Sequence, residues 1–229
     1  MSAETSRGTG PGVITPDGSP VEFYALLEAG DEPEIIRAVV PESGSILELG
    51  SGSGRVTHPL VGLGYHVVAV DESPEMLARV HGAETVCSSI QDLRLDRRFD
   101  AVLLASYFVN LPDDALRGEL LAACRRHVRD DGSVLIQWQP PEAHDAWRVG
   151  GGRTFEGGSI TLAELSRPAP DVFSGTTRYE LDGKVWTQSF TSRRMTNEEL
   201  AAELASAGLA FAEFLTGDHA WIRATPRTP

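Results

Sequence analysis

Ile46-Leu47-Glu48-Leu49-Gly50-Ser51-Gly52-Ser53-Gly54-Arg55 opens as a short apolar run, breaks into glycines at alternate positions, and gives way to helical apolar periodicity from Val56 to Leu63. The pattern reads as strand, tight loop, helix. Alternate glycines leave the main chain bare and free to take positive φ, so a ligand can lie against N–H groups at the start of the helix. About twenty residues on, His66-Val67-Val68-Ala69-Val70 forms a second apolar strand that stops at Asp71. A doubly wound sheet places a carboxylate there on ribose hydroxyls, so the ligand is expected to carry a nucleoside.

A dinucleotide fingerprint needs Gly-x-Gly-x-x-Gly, and Arg55 stands where its third glycine belongs. The run is instead Gly-x-Gly-x-Gly, with Glu48 two residues ahead. In this the chain resembles the class I S-adenosylmethionine-dependent methyltransferases, whose first motif reads acid-x-Gly-x-Gly-x-Gly. The resemblance covers roughly residues 21 to 225 and is specific in its first two motifs. It implies an α/β fold: a Rossmann-like seven-stranded sheet with helices on both faces, the last strand inserted antiparallel. S-adenosylmethionine is then the expected cofactor, held by Glu48, Gly50, Ser51, Gly52, Gly54 and Asp71. The family also implies a helical aromatic hydroxyl, Tyr24, reaching the cofactor carboxylate, and Met76 packing on the adenine. Where relatives end the third strand on an acid that receives the adenine amino group, this chain has Ser89. Asp92 and the backbone of Ile90 and Gln91 are the alternatives.

Composition bounds the remainder. With 229 residues and 41% hydrophobic content, one domain with a full core is expected. A net charge of −13 argues against nucleic acid, because such binding rests on lysine and arginine neutralising phosphates. The two cysteines, Cys87 and Cys124, lack metal-ligand spacing and read as buried thiols. With no long apolar run and no signal peptide, a cytoplasmic chain with no membrane segment is expected.

Residues 1–20, rich in Gly, Ser, Thr and Pro, read as a flexible tail or a strap that orders on binding, leaving 21–229 as a single domain. Helical spacing follows through Phe23, Leu26 and Leu27, then Ile35 to Val40. Ser73-Pro74 caps a helix after Asp71, and Thr85 to Ser89 forms the third strand. Phe99 to Ala105 is apolar enough for a central strand, and its C-terminal edge, from Ala105 through Tyr107 to Asn110, should border the ligand. That edge lacks the Asn/Asp-Pro-Pro-aromatic run of base-modifying relatives. An amphipathic helix over 113–129 and a fifth strand over 132–138 come next. Gly150 to Gly158 reads as a mobile linker, and three β segments follow, with Asp182-Gly183 as a type I′ hairpin turn. Residues 150–193 are therefore expected to be an antiparallel insertion capping the acceptor side, a surface on which a homodimer could also form. Thr196-Asn197-Glu198-Glu199 signals a capped helix, followed by two last strands.

A sulfonium methyl is already electrophilic, so the protein mainly aligns a nucleophile and excludes water. An oxygen or nitrogen acceptor can need a base, for which His144, Tyr107 and Glu142 are the candidates; His144 in an exposed loop is the sharpest. No metal is expected. The expected function is methyl transfer to O or N of a small metabolite of specialised metabolism. Peptide methylation, an NAD-dependent oxidoreductase and a non-catalytic S-adenosylmethionine-binding module are the alternatives.

Overall fold

The computed structural model describes residues 8–227. The expected flexible tail falls partly outside these, at residues 1–7. In chain order the elements are β1 (Gly8–Thr9), α1 (Val21–Tyr24), α2 (Glu32–Arg37), β2 (Ser45–Leu49), α3 (Thr57–Gly62), β3 (His66–Asp71), α4 (Pro74–Leu77) and β4 (Glu84–Cys87). Then follow β5 (Phe99–Leu104), a 3-10 turn (Phe108–Asn110), α5 (Asp114–His127), β6 (Val128–Gln137), α6 (Pro141–Asp145), β7 (Gly152–Phe155), β8 (Gly158–Ala169), β9 (Val172–Leu181) and β10 (Lys184–Arg193). The chain closes with α7 (Asn197–Ser206), β11 (Leu209–Phe214) and β12 (Trp221–Pro226).

The main sheet has seven strands in the order β11-β12-β6-β5-β2-β3-β4. β4, β3, β2, β5 and β6 run parallel, while β12 pairs antiparallel with β6 and β11 with β12. From β2 the chain winds outward through β3 and β4, then returns to β5 on the other side. The crevice between the C-terminal ends of β2 and β5 is thus the topological switch point where such sheets bind ligands. Both faces are covered, as continuous apolar strands require. Leu47, Leu49, Val102 and Leu104 pack on one side with Leu120, Leu121 and Leu200; Ile46, Ala101 and Leu103 pack on the other with Ile36, Val56 and Leu60.

Local signals set the boundaries. Ser73 accepts from Met76 N at 3.2 Å and Asp113 from Leu116 N at 3.0 Å, capping α4 and α5. Thr196 and Glu199 form a reciprocal capping box at α7. α5 ends two residues before the expected stop, while β6 starts four residues early, at Val128. Arg117, fully buried, ties three pieces together by donating to Leu111 O (2.7 Å), Asp114 and Glu203 (2.7 Å).

The inserted segment is a second, antiparallel sheet, β1-β10-β9-β8-β7. Asp182 and Gly183 take φ of 48° and 77°, the positive pair a type I′ turn demands. Two expectations are corrected here. The glycine-rich stretch 150–158 is not a linker throughout, because Gly152–Phe155 forms β7. Gly152 (φ 156°) serves close strand approach, since a Cβ there would lie 2.0 Å from Ile160 O. Residues 8–20 are not a free tail. β1 pairs with β10, Ile14 bridges Pro20, and a tight turn from Thr15 to Ser19 is closed by Thr15 N donating to Ser19 O at 3.0 Å. Trp186, on β10, fixes this strap by donating from Nε1 to Pro11 O at 2.7 Å. Cys124 is buried, its thiol pushed up to about 12 by desolvation, whereas Cys87 is exposed, so only one of the two expected buried thiols is buried.

Candidate active site

The loop after β2 is shaped for a ligand. Gly50, Gly52 and Gly54 take φ of 70°, 56° and 92°, where a Cβ is disfavoured. Their surroundings differ. A Cβ on Gly50 would strike the Phe108 ring at 2.4 Å and one on Gly54 the His58 ring at 2.6 Å, but one on Gly52 would meet nothing within 4 Å. Open space over the middle glycine is where a ligand can lie. Beside it, Ser51 Oγ is buried without a hydrogen-bond partner. An orphaned buried hydroxyl is costly unless something supplies the missing partner.

Asp71 closes β3 under this loop and orders it. One carboxylate oxygen accepts from Gly52 N at 2.8 Å and the other from Ser73 N at 2.9 Å. Burial pushes its pKa up against those two bonds, and the Asp17 charge adds to the rise. Glu48, only 4% exposed, accepts from Thr57 Oγ1 at 2.6 Å. Desolvation, with Asp71 and Glu32 nearby, pushes it up to about 7 against the pull of Arg55. Arg55 pairs with the buried Glu32 at 2.7 Å, and Glu32 in turn accepts from Gly30 N at 2.6 Å. Sequence reasoning missed this pair; only Arg55, at the position of a third glycine, marked it. A cleft of about 480 Å³ opens next to the loop, lined by Tyr24, Ser53, Arg55 and His58 among others.

On the other bank, the chain leaves β5 through Ser106 and Tyr107, both left-handed at φ 55° and 60°. Two consecutive non-glycine residues in that region store strain of about 1 kcal/mol or more each, typical of functional edges. The turn leaves Tyr107 44% exposed and seats Phe108 against Gly50. Ala105 is half-buried at the end of β5, and Ser106 N donates to Gln137 Oε1 at 3.0 Å.

The residues singled out from the sequence thus divide. Glu48, Gly50, Ser51, Gly52, Gly54 and Asp71 gather at the switch point, with Ala105 and Tyr107 opposite. Met76 is buried on α4, and Ile90 packs its side chain into the core, leaving its backbone and that of Gln91 at the edge. Ser89 lies beyond the end of β4, donating to Asp92 at 2.6 Å. The Tyr24 hydroxyl is turned toward the inserted sheet, where it donates to Gln188 Oε1 at 3.2 Å. His144 is a correction: it is no exposed loop residue. It sits on α6 at 0% exposure, bonded through Nε2 to Ser192 Oγ at 2.8 Å and packed on Trp147 and Phe173. Burial depresses its pKa to about 4. A neutral, sealed imidazole cannot reach an acceptor's proton, so it holds the insertion to the core. Glu142, exposed in the first turn of α6, does not join the switch-point cluster.

Comparison with known proteins agrees with this geometry. A family model described as a methyltransferase domain matches residues 46–132, the segment from β2 into β6. The ubiquinone biosynthesis O-methyltransferase of Xylella fastidiosa is 31% identical over 42% of this chain, and the match spans less than half of that protein, 43%. The dTDP-3-amino-3,6-dideoxy-alpha-D-glucopyranose N,N-dimethyltransferase of Streptomyces fradiae is 31% identical over 61% of this chain and 56% of its own length. Among solved structures, CalS10 of Micromonospora echinaspora, an amino pentose methyltransferase with bound S-adenosylmethionine, superposes with a TM-score of 0.66 at 25% identity, covering 92% of this chain and 93% of that one. The open glycine loop, the orphaned Ser51 hydroxyl and Asp71 fit that cofactor, and residues 46–132 of the chain form a methyltransferase domain.

Proposed function

We infer that this methyltransferase acts on nitrogen, methylating an amine borne by a small metabolite, with an amino sugar of specialised metabolism as the best-fitting class. One observation carries the choice of atom: the groups bordering the seat are poorly suited to remove a proton from an alcohol. His144 is sealed, Glu48 is buried against Thr57, His58 Nε2 already accepts from His81 N at 3.2 Å, and burial raises the Tyr24, Tyr107 and Tyr179 phenols further above neutral pH. A neutral amine offers its lone pair without a base, whereas a hydroxyl does not. The Streptomyces fradiae relative, an N,N-dimethyltransferase of an amino sugar nucleotide, and CalS10, an amino pentose methyltransferase, point the same way.

When bound, S-adenosylmethionine supplies an electrophilic methyl carbon. Asp71 would take its ribose hydroxyls, the Gly52 main chain and Ser51 Oγ would lie along it, and Met76 with the Ile90 and Gln91 backbone would border the adenine. The Glu32–Arg55 pair and Tyr107 would close the reacting end, with residues 150–193 as the lid that excludes water. A cytoplasmic setting belongs to the same proposal; no helix among the described residues is long and apolar enough to cross a membrane.

A second reading, transfer to a phenolic or alcoholic oxygen, is favoured by the Xylella fastidiosa relative, whose likeness is confined to part of the chain. Methyl-labelled S-adenosylmethionine offered with amino sugars, their hydroxyl counterparts, catechols and short peptides separates them. Label on the amines is expected. Label confined to hydroxyls or peptides would overturn the nitrogen reading.

A further inference from the structure

One side chain ties the turn after β5 to both ends of the inserted excursion. Asn110, 1% exposed at the end of the 3-10 turn, accepts from Gln139 N on Oδ1 at 2.7 Å. Its Nδ2 donates to Gln139 O at 3.2 Å and to Arg193 O at 3.0 Å. An N–H facing one end of the amide and two carbonyls facing the other leave it a single orientation. Gln139 stands two residues past β6 and two ahead of α6, and Arg193 closes β10. The pair therefore brackets the excursion that carries α6 and β7 to β10.

The opposite end of the same turn rests on the glycine loop. The Phe108 ring lies so close over Gly50 that a Cβ there would come within 2.4 Å of it. Val109, between Phe108 and Asn110, is fully buried in the main core and gives the turn a fixed pivot. Just upstream, Ser106 and Tyr107 keep left-handed backbones, which non-glycine residues hold only where their surroundings impose them. The restraints are on either side: Ser106 N donates to Gln137 Oε1 at 3.0 Å, and Asn110 N donates back to Tyr107 O at 2.8 Å. The contact path is thus continuous, from Gly50 through Phe108 and Asn110 to Gln139 and Arg193.

We propose that Phe108 and Asn110 are positioning residues that set the inserted sheet relative to the glycine loop, so that filling the cofactor seat orders β8 to β10. Cofactor and acceptor then bind cooperatively, each tightening the other by the same factor. The proposal rests on the reading of residues 150–193 as the acceptor-side sheet; the acceptor's reacting atom does not enter it.

Hydrogen exchange read by mass spectrometry, with and without saturating S-adenosylhomocysteine, tests this in wild type, Asn110→Ala and Phe108→Leu. Peptides over residues 50–54 report occupancy of the seat, and peptides over β8 to β10 report the inserted sheet. In wild type the ligand should slow exchange in both, by about fivefold or more in the inserted sheet, the lower end of ordinary coupling between sites. In Asn110→Ala the loop should still be protected, while the ligand-induced slowing in β8 to β10 disappears. Phe108→Leu leaves the three Asn110 bonds in place and should give the same result, which guards against an Asn110→Ala chain that fails to fold. A merely structural loss would speed exchange in β8 to β10 equally with and without ligand and keep the wild-type difference between the two states; that outcome overturns the assignment. So does a wild-type inserted sheet whose exchange ignores a protected loop. An unprotected loop in wild type overturns the cofactor seat as well. No acceptor is present in these measurements, so methyl label confined to hydroxyls or peptides would overturn the nitrogen reading and leave the coupling standing.

Discussion

At the scale of single residues, Gly50 and Gly52 share a left-handed backbone but differ in what lies above them. Gly50→Ala drives a methyl into Phe108 and should destabilise the fold by about 2 kcal/mol or more, read by urea denaturation. Gly52→Ala meets only open space, so its fold cost is limited to backbone strain of about 1 kcal/mol, while cofactor affinity falls sharply in a calorimetric titration. Equal effects of the two on stability would contradict the open seat. Glu48 gives a pH signature. Its native pKa, about 7, lies above a glutamate's ordinary 4.5, so between those values the folded chain retains a proton that the unfolded chain releases. That contribution is present at low pH and lost as pH rises. From pH 5 to 8, wild type should lose roughly 2 to 3 kcal/mol more stability than Glu48→Gln. Parallel pH profiles for the two would place the carboxyl in solvent. His144→Asn should lower stability by about 2 kcal/mol by disturbing Ser192 and the aromatic packing, with cofactor affinity unchanged. A large loss of affinity with native stability would return His144 to the ligand.

Elements were legible where a local cause sufficed. Alternate glycines and Asp71 marked the seat, the Thr196 capping box marked α7, and Asp182-Gly183 marked the hairpin, because each signal acts within a few residues. Long-range pairing was not legible. Gly152–Phe155 looks like a linker because its glycine serves strand approach, visible only once Ile160 is beside it. His144 reads as a loop base because nothing in Pro141–Asp145 announces Ser192 and Phe173 closing over it. Arg117 has the same character: an ordinary helical arginine in sequence, a fully buried tie between α5, the 3-10 turn and α7 in three dimensions. Arg117→Ala should cost about 3 kcal/mol, because Leu111 O loses its donor and Glu203 its charge partner. A change under 0.5 kcal/mol in chemical denaturation would show that α5 and α7 are held by apolar packing alone.

At the scale of the whole molecule, an α/β sheet provides the switch-point crevice, and the inserted segment forms a second, antiparallel sheet whose edge strand β10 pairs with a strap from the N-terminal side. Phe23 on α1 packs on Tyr179 and Trp186 of the inserted sheet, at centroid distances of 4.5 and 5.6 Å, so α1 and that sheet share one aromatic cluster. On the proposed function a division of labour follows: the parallel half would hold the cofactor, while the inserted sheet and strap would carry the choice of acceptor. The seat itself is tested most directly by calorimetric titration of S-adenosylhomocysteine into wild type and Asp71→Ala. One-to-one binding is expected in wild type, weakened in Asp71→Ala by about 1 to 3 kcal/mol through loss of a charged hydrogen-bond acceptor. No binding to wild type, or identical dissociation constants for the two proteins, would contradict it.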